Sequence, residues 1–220
     1  RESGAMILTH KLLVLVPLLS MAVGFLVLAP PDDSLLRDIK VIESSPGIEL
    51  HLSQYKAVLA KDYAGYKGHC YRVLSYAAHI LGTDKHRDVL EAAIVYHDIG
   101  LWTDSKLAYL EPSVRRAREN LAGEYDYEEL QLVEDIISNH HKISPFQGSH
   151  AEAVNAVRRA DWIDATMGFV RQGMPRQHIQ KVMDGIPEAG FHATLAAFLP
   201  RLHGWNIPLA VWELAKIFRL

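Results

Sequence analysis

Histidines and aspartates stand at three separate places among apolar residues: His69, the adjacent pair His97-Asp98, and Asp161. Burying the carboxylate of Asp98 without a partner would cost several kcal/mol, and a divalent metal ion would neutralise it directly. Imidazole nitrogens and carboxylate oxygens together suit Mn, Fe, Zn, Co or Ni. The four residues therefore predict a site for a divalent metal ion.

Each of these residues also has an ordinary explanation when it is taken alone. Asp161 would pair with Arg158 or Arg159, and His69 would be a hydrogen-bonded histidine of the core. The metal interpretation is favoured because three different predicted helices each direct an ionisable group toward the interior.

Further polar residues near this set are candidates for catalysis. Arg72 lies one helical turn after His69, where it would either bind an anionic group of the substrate or pair with an acid. His140 and His141 end a predicted helix, and one of them, by preference His140, would donate a proton, bind substrate or hold a second ion. Lys142 would assist with an anionic substrate.

Two aspartates complete the set of candidates. Asp104 follows Trp102 in a predicted loop, where it would act as a base or remain a solvated carboxylate. Asp164 comes one helical turn after Asp161, so it is expected either behind the metal ligands or at the surface.

The elements that carry these residues are predicted to be helices. After residue 31, apolar residues recur at helical spacing, and no run of alternating residues indicates a sheet. We therefore expect a compact, all-α bundle. One helix is predicted to begin near Asp33 and to end before Pro46, and another to begin with a capping box of Ser149 and Glu152.

The first part of the chain differs in composition from the rest. Residues 1–5 resemble an expression scar ahead of Met6, and residues 6–31 are a hydrophobic segment whose positions 12–31 carry no charge. Such a stretch is about long enough to span a bilayer, so residues 12–29 are either a membrane anchor or a buried or oligomer-forming helix. Residues 32–220 are predicted to form one metal-binding helical domain.

Charge limits the class of partner. The chain has 23 basic and 26 acidic residues, a formal charge of -3, so it has no basic field that would attract nucleic acid. A small-molecule substrate is expected instead. The expected location is the cytoplasm, with membrane association if residues 12–29 act as the anchor and a homo-oligomer if they pair between chains.

The order of the predicted ligands resembles that of the HD-domain superfamily. The match consists of His69, of His97-Asp98-Ile99-Gly100 and of Asp161, and the stretch Gly68-His69-Cys70-Tyr71-Arg72-Val73 also fits the family pattern. The resemblance, over about residues 63–166, implies an all-helical fold, a metal bound at the matching positions, and hydrolysis of a phosphate ester or nucleotide-like molecule. HD proteins with two ions tend to carry another histidine after the His-Asp pair, and none lies between Asp98 and His140, so one ion per chain is favoured.

Three other functions stay open at this point. The stretch from His97 to Leu101, followed by the charged residues 111–121, also resembles the cyanamide-hydratase-like branch, in which water adds to a small nitrile- or amide-type substrate. An iron-dependent HD oxygenase would use two irons and more histidines. The non-enzymatic alternative is a ligand-binding module that contains a metal. A phosphate-ester hydrolase is the preferred prediction.

Overall fold

The computed structural model describes residues 32–203 and the single positions 206, 209 and 212. The predicted expression scar and the hydrophobic segment, residues 1–31, lie outside the described residues. Among the helices that are described, none is both long and apolar enough to cross a membrane.

The described residues fold as α-helices joined by short connections, and they contain no β-strand beyond an isolated bridge between Ala122 and Tyr125. This confirms the predicted all-α fold. In chain order the helices are α1 (Pro46–Ser53), α2 (Lys56–Leu59), α3 (Tyr63–Leu81), α4 (Arg87–Tyr96), α5 (Gly100–Thr103), α6 (Leu110–Leu121), α7 (Tyr127–Asn139), α8 (Ala151–Ala165), α9 (Arg176–Gly185) and α10 (Phe191–His203).

Helix α3 lies at the centre of the bundle and packs along α8. It is buried nearly all round, and its core residues include Tyr66, Val73 and Leu74. Each buried aliphatic or aromatic side chain contributes about 1.5–3 kcal/mol, so the core residues of α3 hold this helix in the interior. The helix ends at Gly82, whose φ of 67° is the left-handed conformation that glycine adopts readily.

Two local predictions were wrong, a helix between Asp33 and Pro46 and a capping box at Ser149 and Glu152. After a single 3-10 turn at Asp33–Leu35 the chain does not continue as a helix, and Pro46 begins α1 instead of ending a helix before it. Ser45 explains the difference, because its side chain accepts a hydrogen bond from the Ile48 N–H and so caps a helix with proline in its first turn. Helix α8 likewise begins after His150 without a side-chain cap, so the predicted box of Ser149 and Glu152 does not form.

Candidate metal centre

The predicted metal ligands converge from three elements of the bundle. His69 lies in the middle of α3, His97 and Asp98 follow the last residue of α4, and Asp161 lies in α8. All four side chains are buried, and the most exposed of the four residues, Asp98, retains 4% of its surface. Four polar side chains have thus been removed from water at one place.

The atoms that face one another in this cluster are the Nε2 atoms of the two histidines and one oxygen of each aspartate. The two Nε2 atoms lie 3.0 Å apart, and each is 3.6 Å from Oδ1 of Asp161. Oδ2 of Asp98 lies 3.3 Å from Nε2 of His97 and 3.7 Å from Nε2 of His69. His69, His97 and Asp98 form one group whose ligand atoms all lie within 4.8 Å of one another.

The other nitrogen of each imidazole, Nδ1, faces a hydrogen-bond acceptor, and this contact determines whether Nε2 carries a proton. Nδ1 of His97 lies 2.6 Å from the carbonyl oxygen of Ile94, which can only accept a hydrogen bond. Nδ1 of His69 lies 2.7 Å from the carboxylate of Asp164, which is also an acceptor. Both Nδ1 atoms therefore carry the proton, and in the neutral imidazoles both Nε2 atoms present a lone pair to the cluster.

The cluster consequently needs a positive charge. Burial would raise the pKa of Asp98, but His97 and His140 hold it well below its ordinary value. Burial would also raise the pKa of Asp161, yet the surrounding histidines lower it to about 2. In turn, burial would lower the pKa of His97, but the two carboxylates raise it well above its ordinary value. Two ionised aspartates thus attract either a proton or a metal ion.

The residues present fit a divalent metal. Oδ1 of Asp98 and Oδ2 of Asp161 are buried and have no hydrogen-bond partner, which would be costly without a cation. Two imidazole nitrogens and two carboxylate oxygens are a donor set that suits borderline divalent ions. Neither arginine named as an alternative partner reaches Asp161, because Arg158 binds Asn155 and two carbonyl oxygens while Arg159 binds Asp32 and the carbonyl of Gln172.

His140 and His141 adjoin the same cluster from the end of α7. Nε2 of His140 lies 3.3 Å from Oδ1 of Asp98, and Nδ1 of His141 lies 3.5 Å from Oδ2 of Asp161. Together with Asp98 they form a second group whose ligand atoms lie within 4.8 Å of one another. Burial and neighbouring His140 lower the pKa of His141 to about 3, so this imidazole is neutral.

Tyr109 is a member of the site that the sequence did not reveal. Its hydroxyl contacts Nε2 of His141 and lies 3.5 Å from Nε2 of His140. Burial raises the pKa of Tyr109 well above its ordinary value, so the hydroxyl keeps its proton. Tyr109 lies between Asp98 and His140, the interval that contains no further histidine. It precedes α6 in a connecting segment, so no helical periodicity indicates its position.

The glycine after Ile99 is what allows this connection to approach. A Cβ atom at Gly100 would collide with the carbonyl oxygen of Tyr109 and lie 2.9 Å from Oγ of Ser113. The Gly100 N–H donates to that Oγ atom at 3.0 Å. Close packing against Tyr109, and not a special backbone conformation, is therefore the reason for glycine here.

Arg72 and Asp164 form a pair behind His69. Nε and Nη2 of Arg72 donate to the two oxygens of Asp164 at 2.6 and 3.0 Å, and Nη1 donates to the carbonyl of Pro187 at 2.9 Å. The guanidinium is fully buried and has the contacts of an acid's partner, not those of a group that binds a substrate anion. Asp164 lies behind the ligands, where it holds both His69 and Arg72.

Two predicted catalytic residues lie away from the cluster. Asp104 accepts a hydrogen bond from Arg115 at 2.5 Å and another from Thr103, and these partners occupy its carboxylate. Lys142 follows the two histidines but does not line the cavity beside them. Asp104 was predicted to act as a base and Lys142 to assist an anionic substrate, and neither residue lies at the site.

A cavity of about 160 Å³ opens next to the cluster. Its polar end consists of His69, Asp98, Tyr109, His141 and Asp161. Its walls are apolar, and the residues that form them are Leu101, Leu107, Ala165, Phe191, Leu195 and Phe198. Phe191 stacks on the imidazole of His69 with the ring centres 4.1 Å apart, so the wall and the ligands touch directly.

Comparison with known proteins gives one match. Residues 66–166 match the family model of the HD domain, and this range contains the four predicted ligands together with Tyr109, His140 and Asp164. Searches of the curated proteins and of the solved structures give no match.

Proposed function

Because the chain belongs to the HD-domain superfamily, we propose that it is a metal-dependent hydrolase with one divalent ion at this centre. The proposed ligands are the two histidines and two aspartates whose acceptor atoms face one another: His69, His97, Asp98 and Asp161. HD domains are in general metal-dependent hydrolases, and the buried cluster of this chain suits such an ion.

One observation carries the proposal. The two buried Nε2 atoms lie 3.0 Å apart, each is 3.3–3.7 Å from one oxygen of Asp98 and of Asp161, and both imidazoles donate their Nδ1 proton to other acceptors. Without a cation, lone pairs would face lone pairs and two carboxylates would share one desolvated site. A purely structural hydrogen-bonding cluster would place donors opposite these acceptors.

The chemistry of the proposed centre follows from its surroundings. A bound ion would lower the pKa of a water molecule and polarise the reacting group of the substrate. The carboxylates of Asp98 and Asp161 would orient such a water by accepting hydrogen bonds from it. Tyr109 and His141 border the same space, where the tyrosine hydroxyl donates a hydrogen bond to the departing group. Apolar side chains line the rest of this space.

The test begins with metal content. The protein is purified without chelators and without metal-affinity resin, and its metals are measured by plasma mass spectrometry. About one Mn, Fe, Zn, Co or Ni per chain is expected from a single set of four ligands. Two irons would redirect the work to oxygen chemistry, and absence of metal after reconstitution would refute the proposal.

Turnover is then measured on matched substrates. Release of phosphate from nucleotides and simple esters tests the phosphohydrolase prediction, and release of ammonia from amides and nitriles tests its alternative. Ligand binding without turnover, seen as a rise in melting temperature, would favour the ligand-binding module.

A further inference from the structure

We propose that the substrate of this centre is a phosphate monoester of a small apolar alcohol, whose phosphoryl group lies at the cluster and whose ring or chain fills the adjoining cavity. The inference rests on the proposed function and names the class of its substrate. It separates such esters from the phosphates of sugars and nucleosides, which carry other polar groups close to the ester oxygen. The distribution of polar side chains, the walls of the cavity and its volume lead to it.

The cavity has one polar end and an apolar body. Among the described residues that line it, the ionisable ones are His69, Asp98, Tyr109, His141 and Asp161, and all five belong to the cluster or contact it. The other lining side chains are those of leucine, alanine and phenylalanine. A substrate that occupies this space therefore needs one polar end, the end that reacts, and an apolar remainder.

The walls, as far as the described residues form them, carry no polar side chain. They consist of Leu101, Leu107, Ala165, Phe191, Leu195 and Phe198. The backbone N–H groups of Leu101 and Phe191 already donate to the carbonyl oxygens of Asp98 and Glu188, at 3.0 and 3.1 Å. A hydroxyl group placed against these walls would lose its hydrogen bonds to water without replacement, whereas an apolar ring would gain from burial.

The apolar wall begins directly at the predicted metal ligands. Phe191 stacks on His69 with the ring centres 4.1 Å apart, and only 1% of its surface is exposed. Further along, Phe198 is held edge-on against Trp102 with the ring centres 5.1 Å apart. The carbon atoms next to the ester oxygen would therefore already face apolar side chains. In a sugar phosphate these are the atoms that carry hydroxyl groups or the ring oxygen.

The volume of the cavity limits the size of the alcohol. At about 160 Å³ it is close to the about 150 Å³ of apolar cavities that hold benzene. Pockets for larger ligands measure about 300–1,000 Å³. A single six-membered ring thus fills this space, and a nucleoside, with its base and its ribose, needs more.

The reaction of such an ester is a hydrolysis at phosphorus. The oxygen of water bonds to phosphorus, and the P–O bond to the alcohol breaks with its electron pair going to the alcohol oxygen. One proton of the water moves to that oxygen, so the alcohol and inorganic phosphate leave. Tyr109 borders the cavity beside the cluster, and its hydroxyl is a neutral hydrogen-bond donor for the departing oxygen.

Turnover is tested with two esters that share one ring, cyclohexyl phosphate and inositol 1-phosphate, and with adenosine 5′-monophosphate. The metal-loaded protein is used, and release of inorganic phosphate is measured. The kcat/KM for cyclohexyl phosphate should exceed that for inositol 1-phosphate by about 100-fold or more, because an apolar pocket rejects even one added hydroxyl by about that factor. The nucleotide should react no faster than inositol 1-phosphate.

Binding of the alcohol gives a second readout that needs neither metal nor turnover. Melting temperatures of the metal-free protein are measured with cyclohexanol and with inositol. At about ten times its Kd, cyclohexanol should raise the melting temperature by about 3–6 °C. Inositol at the same concentration should produce no shift.

A pair of variants locates the alcohol. Leu195 and Leu202 are both partly buried residues of α10, and of these two only Leu195 lines the cavity. Leu195→Trp should weaken cyclohexanol binding and lower kcat/KM for cyclohexyl phosphate about tenfold or more, because the added ring occupies the space of the substrate. Leu202→Trp is the matched control and should leave both values unchanged.

A third variant keeps the test decisive if Leu195→Trp does not fold. Leu195→Ala enlarges the cavity instead of filling it. It should raise the preference for 4-methylcyclohexyl phosphate over cyclohexyl phosphate about tenfold, the effect of one methyl or methylene group in an apolar pocket. An unchanged preference would show that Leu195 does not contact the alcohol and would overturn the assignment.

The outcomes separate this inference from the proposed function. A protein that takes up no metal, or that releases phosphate from none of the esters, refutes the proposed function on phosphate esters and the substrate class with it. Release of phosphate from inositol 1-phosphate or from the nucleotide at least as fast as from cyclohexyl phosphate would leave the hydrolase in place and overturn the inference. A metal-free protein that does not bind cyclohexanol would overturn it as well.

Discussion

Replacement of Asp164 by asparagine should damage both the stability of the fold and the affinity for metal. The carboxylate is fully buried and accepts hydrogen bonds from Nδ1 of His69 at 2.7 Å and from Nε and Nη2 of Arg72 at 2.6 and 3.0 Å. Asp164→Asn keeps the shape of the side chain but removes its charge. The buried guanidinium of Arg72 is then left without a counter-charge.

The magnitude follows from these contacts. Breaking a buried ion pair by removing one partner destabilises a protein by about 3–5 kcal/mol. Loss of the acceptor that orients His69 should also weaken metal binding by about 10–100-fold, since the hydrogen bond fixes the tautomer and the ring orientation of the ligand. Both effects should appear in one variant, because one carboxylate serves both partners.

The stability effect has a defined pH dependence. Burial would raise the pKa of Asp164, but His69 and Arg72 hold it below its ordinary value. A lowered pKa in the folded state means that the carboxylate stabilises the fold fully above its unfolded pKa of about 3.9, and that this contribution is lost as the pH falls further. The difference in stability between the native protein and the variant should therefore narrow below about pH 4.

The free energy of unfolding is measured by denaturant titration with chelator present, and metal affinity by competition with a chelator of known strength. Asp135→Asn is the matched control, because Asp135 also accepts from a histidine, Nδ1 of His150 at 3.0 Å, but at a place away from the cluster where 19% of its side chain is exposed. The control should lose less than about 1 kcal/mol. Equal losses in the two variants, or an unchanged metal affinity in Asp164→Asn, would refute the assigned role of Asp164.

Other perturbations of the centre have separate expected outcomes. His97→Ala and Asp98→Ala should each abolish metal binding measured by mass spectrometry, whereas His140→Ala should retain the ion and lose turnover; full metal occupancy in Asp98→Ala would contradict the ligand assignment. Tyr109→Phe should retain metal and lower kcat more than it raises KM, because it removes only a hydrogen-bond donor, and an unchanged kcat would argue against that role. Gly100→Ala should lower the unfolding free energy by about 1–3 kcal/mol in a denaturant titration, since its methyl group collides with the Tyr109 carbonyl, and a neutral effect would show that the connection moves freely. Metal affinity should fall as the pH is lowered, by about tenfold per pH unit for each proton displaced, because protons compete with the ion for the imidazoles and carboxylates. An affinity that does not change between pH 5 and 8 would be inconsistent with histidine ligands.

The sequence was sufficient for the parts of the centre that helical periodicity controls. His69 and Asp161 occupy inward positions of long helices, and a side chain on a regular helix points where its neighbours one turn away point. The all-α fold was predicted for the same reason and is confirmed. Periodicity also put Arg72 and Asp164 near the cluster, but it could not say that they bind each other, because a partner on another helix depends on how the two helices pack.

Connecting segments were the parts that the sequence could not supply. Tyr109 reaches the cluster only because the path between α5 and α6 turns back over Gly100, and Phe191 reaches His69 only because α10 begins beside α3. Asp104 was predicted to be either a base or a solvated loop carboxylate, and its carboxylate accepts a hydrogen bond from Arg115 on the following helix. These outcomes depend on loop conformation and on contacts between distant parts of the chain. Neither leaves a periodic pattern in a single sequence from which it could be predicted.

Local signals near helix ends contain more information than the prediction used. His97 and His140 are each the first residue after a helix, and each directs Nδ1 to the carbonyl oxygen three residues earlier, that of Ile94 at 2.6 Å and that of Ile137 at 2.8 Å. The last carbonyl groups of a helix lack an N–H partner within the helix, so an imidazole at this position supplies one. That hydrogen bond places the proton of a neutral histidine on Nδ1. Nε2 is then an acceptor that points past the end of the helix. Within a regular helix the side chains of His97 and Asp98 would diverge. The hydrogen bond at the end of α4 instead leaves Nε2 of His97 as an acceptor 3.3 Å from Oδ2 of Asp98, which supports the proposal that both residues bind one ion.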